Sequence, residues 1–211
     1  MWSRVVLLGL ALLPAQALAL MLDYGGFYDR MRVVNKNDYP LVTLAFYLNH
    51  RGQPGPCQIQ SGSLVHKDTR QPVVITPDNE IHLPFDAQLK TDKAVLDLVV
   101  EQEAQCDFAM QLRYADPTQA QFAQAELTAL VGQFDDVLKR FAGFPFRFLQ
   151  PDVTGVVIAL DQPEGIEVSP AQSLNRDEQG RVVLDADSLS QLESIRFAAP
   201  PRWISPYIER D

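Results

Sequence analysis

Strict alternation of apolar and polar side chains dominates the first hundred residues, and it decides what this chain can build. Within Leu41 to Asn49, Val42, Leu44, Phe46 and Leu48 share one face, and Thr43, Ala45 and Tyr47 share the other. Within Cys106 to Tyr114, Cys106, Phe108, Met110, Leu112 and Tyr114 oppose Asp107, Gln111 and Arg113. A period of two places successive side chains on opposite sides of an extended backbone, so both segments predict half-buried antiparallel strands. Further strands are expected at Ser63 to His66, Pro72 to Ile75, Glu80 to Phe85 and Ala94 to Val100. Turn-forming residues separate them at Arg51-Gly52, Pro54-Gly55 and Thr76-Pro77-Asp78-Asn79. Short strands in this rhythm point to an antiparallel β-sandwich.

Cys57 and Cys106 are the only two cysteines. Cys57 alternates with Ile59 as Cys106 does with Phe108, so both sulfurs point toward the predicted core, and the pair reads as one disulfide. It would close a loop of about 50 residues, which chain entropy values at roughly 4 kcal/mol. The competing reading is a reactive or metal-binding pair, which calls for electropositive surroundings or further soft ligands. The acidic neighbours Glu101, Glu103 and Asp107 would instead raise a thiol pKa.

The period changes after Tyr114. Asp116-Pro117-Thr118-Gln119 has the form of a helix start, with a capping residue, Pro at the first helical position and Gln at the third. Phe122, Leu127, Leu130, Val131, Phe134, Leu138 and Phe141 then recur at three- and four-residue spacing until Gly143. This predicts one linking amphipathic helix over 116–143. Alternation returns in Val156, Ile158 and Leu160, in Ile166 with Val168, in Val182 with Leu184 and in Ile195 with Phe197. The fold class is mainly β with one amphipathic helix: a disulfide-stapled sandwich over 20–115, the helix, and a smaller β-rich part over 144–211. The segment TPDNEIHLPFDAQLKTDKAVLDL also resembles RDEQGRVVLDADSLSQLESIRF in its order of polar turn, strand, Asp-containing corner, Leu and second strand. Duplication of a small sandwich and chance sharing of strand-and-turn grammar both account for that.

The N-terminus carries an address. Arg4, an apolar run from Val5 to Leu13, Pro14 and Ala17-Leu18-Ala19 make up the three parts of a secretory signal over 1–19, with Leu20 as the first mature residue. The apolar run is too short to span roughly 30 Å of hydrocarbon, which takes about 20 residues, and no later stretch is long enough. The expected location is the periplasm of a Gram-negative bacterium. With 18 basic against 27 acidic residues and a net charge of −9, nucleic acid is excluded as a partner, because phosphate backbones are held by clustered Lys and Arg.

The stretch GFYDRMRVVNKNDYPLVTLAFYL, with Cys57-Gln58-Ile59, LPFDAQLKTDKAVL and Cys106-Asp107, resembles an uncharacterised gammaproteobacterial family of exported proteins that contain a domain of unknown function. The resemblance is strongest from Gly26 to about Tyr114, implies a periplasmic home and brings no catalytic residues with it. A looser resemblance, in strand pattern only, is to transthyretin-like sandwich modules, a fold that hosts many functions.

Candidates for chemistry are few. His66 and His82, each on the solvent face of a predicted strand, could hold zinc or copper with Asp68 or Glu80 if their strands were neighbours in register. His50 falls near a turn. Ser61-Gly62-Ser63 lacks the G-x-S-x-G frame of a nucleophile elbow. Asp135 and Asp136 are adjacent on a helix and point apart, and Asp185 and Asp187 flank a corner, so both pairs read as solvated charge. No Walker loop, G-x-G-x-x-G or haem-attachment motif is present, so no cofactor is expected. The surfaces left to consider are aromatic: Phe144 to Leu149, expected to cover the helix end and a sheet edge, and Tyr24 to Tyr28 and Pro200 to Ile208, expected to pack over the core. The Lys36-Asn37-Asp38 loop reads as an ordinary turn. The expected role is a non-enzymatic binding or envelope-accessory module with an envelope protein or a small ligand as partner. The alternatives are a small envelope hydrolase working between the two parts and weak Zn/Cu handling.

Overall fold

An alternating strand is stable only when its edges are paired and its apolar face is covered, and this chain meets both needs with four small antiparallel sheets. The computed structural model describes residues 18–36, 39–53, 55–101 and 105–209. Most of the expected signal segment, together with Asn37 and Asp38, lies outside the described residues. In chain order the first unit is β1 (Leu18–Asp23), α1 (Tyr24–Asn35), β2 (Val42–His50), β3 (Ile59–His66), β4 (Thr69–Pro72), β5 (Val74–Ile75), β6 (Ile81–His82), α2 (Ala87–Thr91), β7 (Val95–Val100) and β8 (Cys106–Tyr114). The second is β9 (Gln121–Ala123), α3 (Gln124–Ala142), a 3-10 turn at Phe146–Phe148, β10 (Gly155–Ala159), β11 (Ile166–Ser169), β12 (Asn175–Arg176), β13 (Val182–Leu184), α4 (Ala186–Gln191), β14 (Ser194–Phe197) and β15 (Trp203–Tyr207). The architecture is mainly antiparallel β, as the alternation requires.

The two units have the same wiring. In the first, the sheets run β1-β7-β3-β4 and β5-β6-β2-β8; in the second they run β11-β14-β9 and β12-β13-β10-β15. Taking β9 for β1, β10 for β2, β11 for β3, β12 for β5, β13 for β6, β14 for β7 and β15 for β8, every pairing of the second unit repeats one of the first. The two segments that resemble each other in sequence occupy equivalent places. Each runs from a strand in one sheet, through a short helix, to a strand in the other sheet. Each helix is capped by an Asp: Asp86 accepts from the Gln88 backbone N–H, and Asp185 from that of Ser188. The duplication reading therefore extends from one segment to the whole topology. Equivalent elements also meet each other, β8 against β15 and α1 against α3, as in a dimer related by a two-fold axis.

The helix differs from its sequence expectation. Asp116 is no helix cap but closes a turn, accepting from both the backbone N–H and the hydroxyl of Thr118. Phe122 is a buried strand residue on β9, and helical structure begins only at Gln124. Helix α3 connects β9 to β10 and also contributes to a core. Leu127, Leu130, Phe134 and Val137 are fully buried in the second unit's core with Val156, Ile158, Val182 and Leu184. Its counterpart α1, absent from the sequence expectation, buries Tyr24, Phe27, Tyr28 and Met31 against Phe46, Leu48, Leu96 and Leu98. Val34 of α1, with Val42 and Leu112, reaches across into the second core.

The disulfide Cys57–Cys106 is present, with sulfurs 2.02 Å apart and Cα atoms 6.2 Å apart. It joins the approach to β3 in one sheet to the start of β8 in the other. Replacing both cysteines with serine is expected to lower the unfolding free energy by about 4 kcal/mol, because the cross-link restricts the unfolded chain. A fall in the urea midpoint with an unchanged native circular dichroism spectrum checks this.

Candidate functional site

Three places collect polar or exposed groups of the kind that carry function. The first is a cleft of about 520 Å³ between the units, lined by Thr43, Glu80, His82, Arg113, Arg202 and Trp203 among others. Strand alternation builds it, since Tyr47 of β2 and Arg113 of β8 lie on the face opposite their unit's core. The Arg113 guanidinium sits 5.2 Å over the Tyr47 ring and 5.3 Å over the Trp203 ring, and Arg181 also lies over Trp203, at 5.4 Å. Arg113 also donates to Glu80 at 3.1 Å and to Gln111, and the Tyr47 hydroxyl donates to Glu80 at 2.9 Å. Burial pushes the Tyr47 phenol well above its ordinary pKa, so it stays protonated as a donor.

Each cation here has its own carboxylate: Arg113 has Glu80, Arg181 has Asp177 and Arg202 has Asp78. The arrangement therefore works as a staple between units. For acid–base chemistry the cleft offers the His82–Glu80 pair, with Nε2 3.2 Å from the carboxylate and the imidazole exposed.

The second place is the set of histidines and cysteine sulfurs, where the pair expected to hold a metal is not brought together. His66 and His82 lie in different sheets, and each is engaged by a different carboxylate. His66 Nε2 is 2.6 Å from Asp92, whose carboxyl is pushed down to about 2 by hydrogen bonds from Gln88, Lys67 and His66. Asp68 is exposed in the β3–β4 turn. Among the described residues, the group with converging metal-ligand atoms is His50, Cys57 and Cys106, with His50 Nδ1 3.5 Å from the Cys57 sulfur. Bonded to each other, the two sulfurs are not thiolates, and the imidazole is the group's one strong ligand. Ser61 and Ser63 are ladder residues of β3 opposite Val99 and Asp97.

The acidic pairs are structural. Asp135 accepts from Lys139 at 2.7 Å and from the Val153 backbone at 3.2 Å. Asp136 accepts from the Tyr39 hydroxyl and from Arg140, tying the loop before β2 to α3. Asp185 caps α4, and Asp187 lies in that helix's first turn.

The third place is the turn after α3, and here the sequence expectation is overturned. Phe144, Phe146, Phe148 and Leu149 do not cover the helix end; they are 84, 63, 74 and 79% exposed. Gly143, at φ 68°, ends α3 and throws the chain outward. Phe144 and Phe148 touch edge to face with centroids 6.2 Å apart, and Arg147 stacks over Phe148 at 5.6 Å. The run of aromatic residues was visible in the sequence, but its outward direction depends on a backbone turn that periodicity does not encode. The other two aromatic segments do pack inward. Tyr24, Phe27 and Tyr28 are buried on α1, and Pro201 and Ile204 are buried on and before β15.

A mainly antiparallel β protein whose two units share one wiring, with an outward aromatic turn after α3, is thus the class that fold and surface define. By sequence the chain belongs to the family described as "Protein of unknown function (DUF2987)", matched over residues 16–160, which takes in the first unit and the second as far as β10. Among curated proteins and among solved structures, none matches the chain.

The Tyr39 hydroxyl and Arg140 hold the Asp136 carboxyl below its ordinary value, against the opposing effect of burial. A carboxylate with a depressed folded pKa adds stability above its unfolded pKa and loses it as pH falls through the folded value. Tyr39→Phe is expected to cost about 1 kcal/mol at neutral pH, a modest figure because the pair is partly exposed. It should also raise the Asp136 titration midpoint toward the ordinary carboxylate range, and the stability difference from wild type should vanish in acid. Carboxyl NMR and urea unfolding at several pH values measure both. Trp203→Leu removes two cation–aromatic contacts and is expected to cost about 1–2 kcal/mol beyond lost packing, measured by thermal unfolding.

Proposed function

We propose that this protein is an exported, non-enzymatic binding module of the Gram-negative envelope, and that the aromatic turn after α3 is its docking surface. One observation carries the reading: four large apolar side chains in six consecutive residues stand mostly in solvent on a protein that buries its other aromatic segments. Such an exposed patch is an aggregation liability unless something covers it in use. The disulfide supports an oxidising compartment, since cytosolic thiols are kept reduced. The three-part N-terminal segment supports export to the periplasm.

The cleft supports a hydrolase less well. Its arginines and their carboxylates neutralise one another, and two guanidinium groups lie over Trp203, so the polar side chains serve the contact between units. No helix among the described residues is long and apolar enough to cross a membrane, so retention at the envelope would rest on a surface contact.

The test is fractionation of the exported full chain in a Gram-negative host. Wild-type protein is expected to sediment with the envelope, and the double variant Phe146→Ser, Phe148→Ser should shift at least about tenfold toward the soluble extract, because each buried Phe contributes about 1.5–3 kcal/mol. Melting temperatures should match, since both rings are exposed. Wild-type protein found wholly in the soluble extract overturns the reading.

A further inference from the structure

The docking reading leaves its occupant open, and the turn's own chemistry narrows it. We infer that the Phe144–Leu149 turn inserts into the surface of a phospholipid bilayer, with Phe144, Phe146, Phe148 and Leu149 among the acyl chains and Arg147 at the headgroups. This inference rests on the binding reading above and names its partner.

The first argument is shape. Exposures of 63 to 84% along consecutive residues describe a protrusion, which can enter a fluid medium without a pre-shaped pocket. The second is the backbone. A segment leaving water for hydrocarbon must satisfy peptide groups internally or keep them at headgroup depth, and this turn satisfies three of its N–H groups. The Arg147 N–H donates to the Gly143 carbonyl, that of Phe148 to Pro145 and that of Leu149 to Phe146, while Pro145 has no N–H to satisfy. Between residues 144 and 149 the one polar side chain is Arg147, so little polar surface must be desolvated when the tip enters an apolar medium.

The third argument is the distribution of charge. Lys139 and Arg140, at the base of the turn, are already matched by Asp135, Asp152 and Asp136. Among the described residues Arg147 has no ion pair, and its aliphatic stem can lie along Phe148 while the guanidinium reaches outward. The chain as a whole carries a net charge of −9, so it gains little from a negatively charged surface. Apolar insertion must therefore drive the contact, with Arg147 as a single headgroup anchor.

The experiment is flotation of the purified exported protein with two sets of vesicles, one of phosphatidylcholine alone and one with about a third phosphatidylglycerol. Wild-type protein is expected to float with both, and raising salt from about 0.1 to about 0.5 M should leave binding to phosphatidylcholine unchanged, because screening acts on charge and not on apolar burial. Phe148→Ser is expected to reduce binding to both at least about tenfold. Arg147→Glu should weaken binding to the phosphatidylglycerol vesicles more than to the neutral ones. Val74→Ser, which removes an exposed apolar side chain on β5, should bind as wild type does. If wild-type protein stays unbound to both vesicles yet still sediments with the cell envelope, the occupant is a protein and the lipid inference fails while the binding reading stands. If it does neither, both fail. Flotation that Phe148→Ser leaves unchanged also overturns the inference, because the contact would then lie elsewhere.

Discussion

The structure depends on the stack Tyr47–Arg113–Trp203–Arg181, in which rings and guanidinium groups alternate across the boundary between the two units. Each unit could close its own sheets without the other. At this boundary Trp203, from the last strand of the second unit, meets a cation of the first unit and a cation of its own, beside the apolar packing of Val34, Val42 and Leu112 in the second core. The carboxylates Glu80 and Asp177 balance those cations, so the stack is close to neutral and can be half buried without an unpaired charge. The cleft is a by-product of this contact: where two twisted sheets meet through flat groups, they leave space on either side.

Much of this was legible in the sequence. The segment Cys106 to Tyr114 is β8 residue for residue, and Leu41 to Asn49 matches β2 to within one position. Alternation is reliable where a strand is long and has one dry face. Helix α1 was missed because Tyr24, Phe27, Tyr28, Met31 and Val34 form a helical stripe interrupted by Gly25 and Gly26 and followed at once by strand-like sequence. The start of α3 was misplaced because Asp-Pro-Thr-Gln serves a tight turn as well as it serves a helix cap, and only the pairing of Phe122 with Ile195 distinguishes them. The matched segments around Asp86 and Asp185 hinted at duplication. Elsewhere the units have drifted in length, with 12 residues in α1 against 19 in α3 and eight in β3 against four in β11, so position-by-position comparison loses the register.

Candidate chemistry fared differently from fold. The two histidines proposed as a metal pair lie on strands whose sequence gives their facing but not their sheet, and sheet membership decided the matter. The Asp pairs, read from sequence as solvated charge, are tied into the fold: Asp135 and Asp136 point apart, as adjacent helix residues must, and each anchors a different loop. The aromatic turn shows that composition identifies an apolar surface, while its direction comes from one glycine at the end of a helix. Among the described residues the exposed aromatic turn follows α3, the longer of the two helices that hold equivalent places in the wiring.

The single disulfide divides the molecule in another respect. It fastens the two sheets of the first unit and none of the second, which contains no cysteine and is packed around the buried face of α3. Under reducing conditions the chain lacks that fastening, so its N-terminal half is the half most easily unfolded, and oxidation removes that ease. On the export reading, the bond acts as a ratchet set by compartment: open to threading before passage, and resistant to unfolding after it.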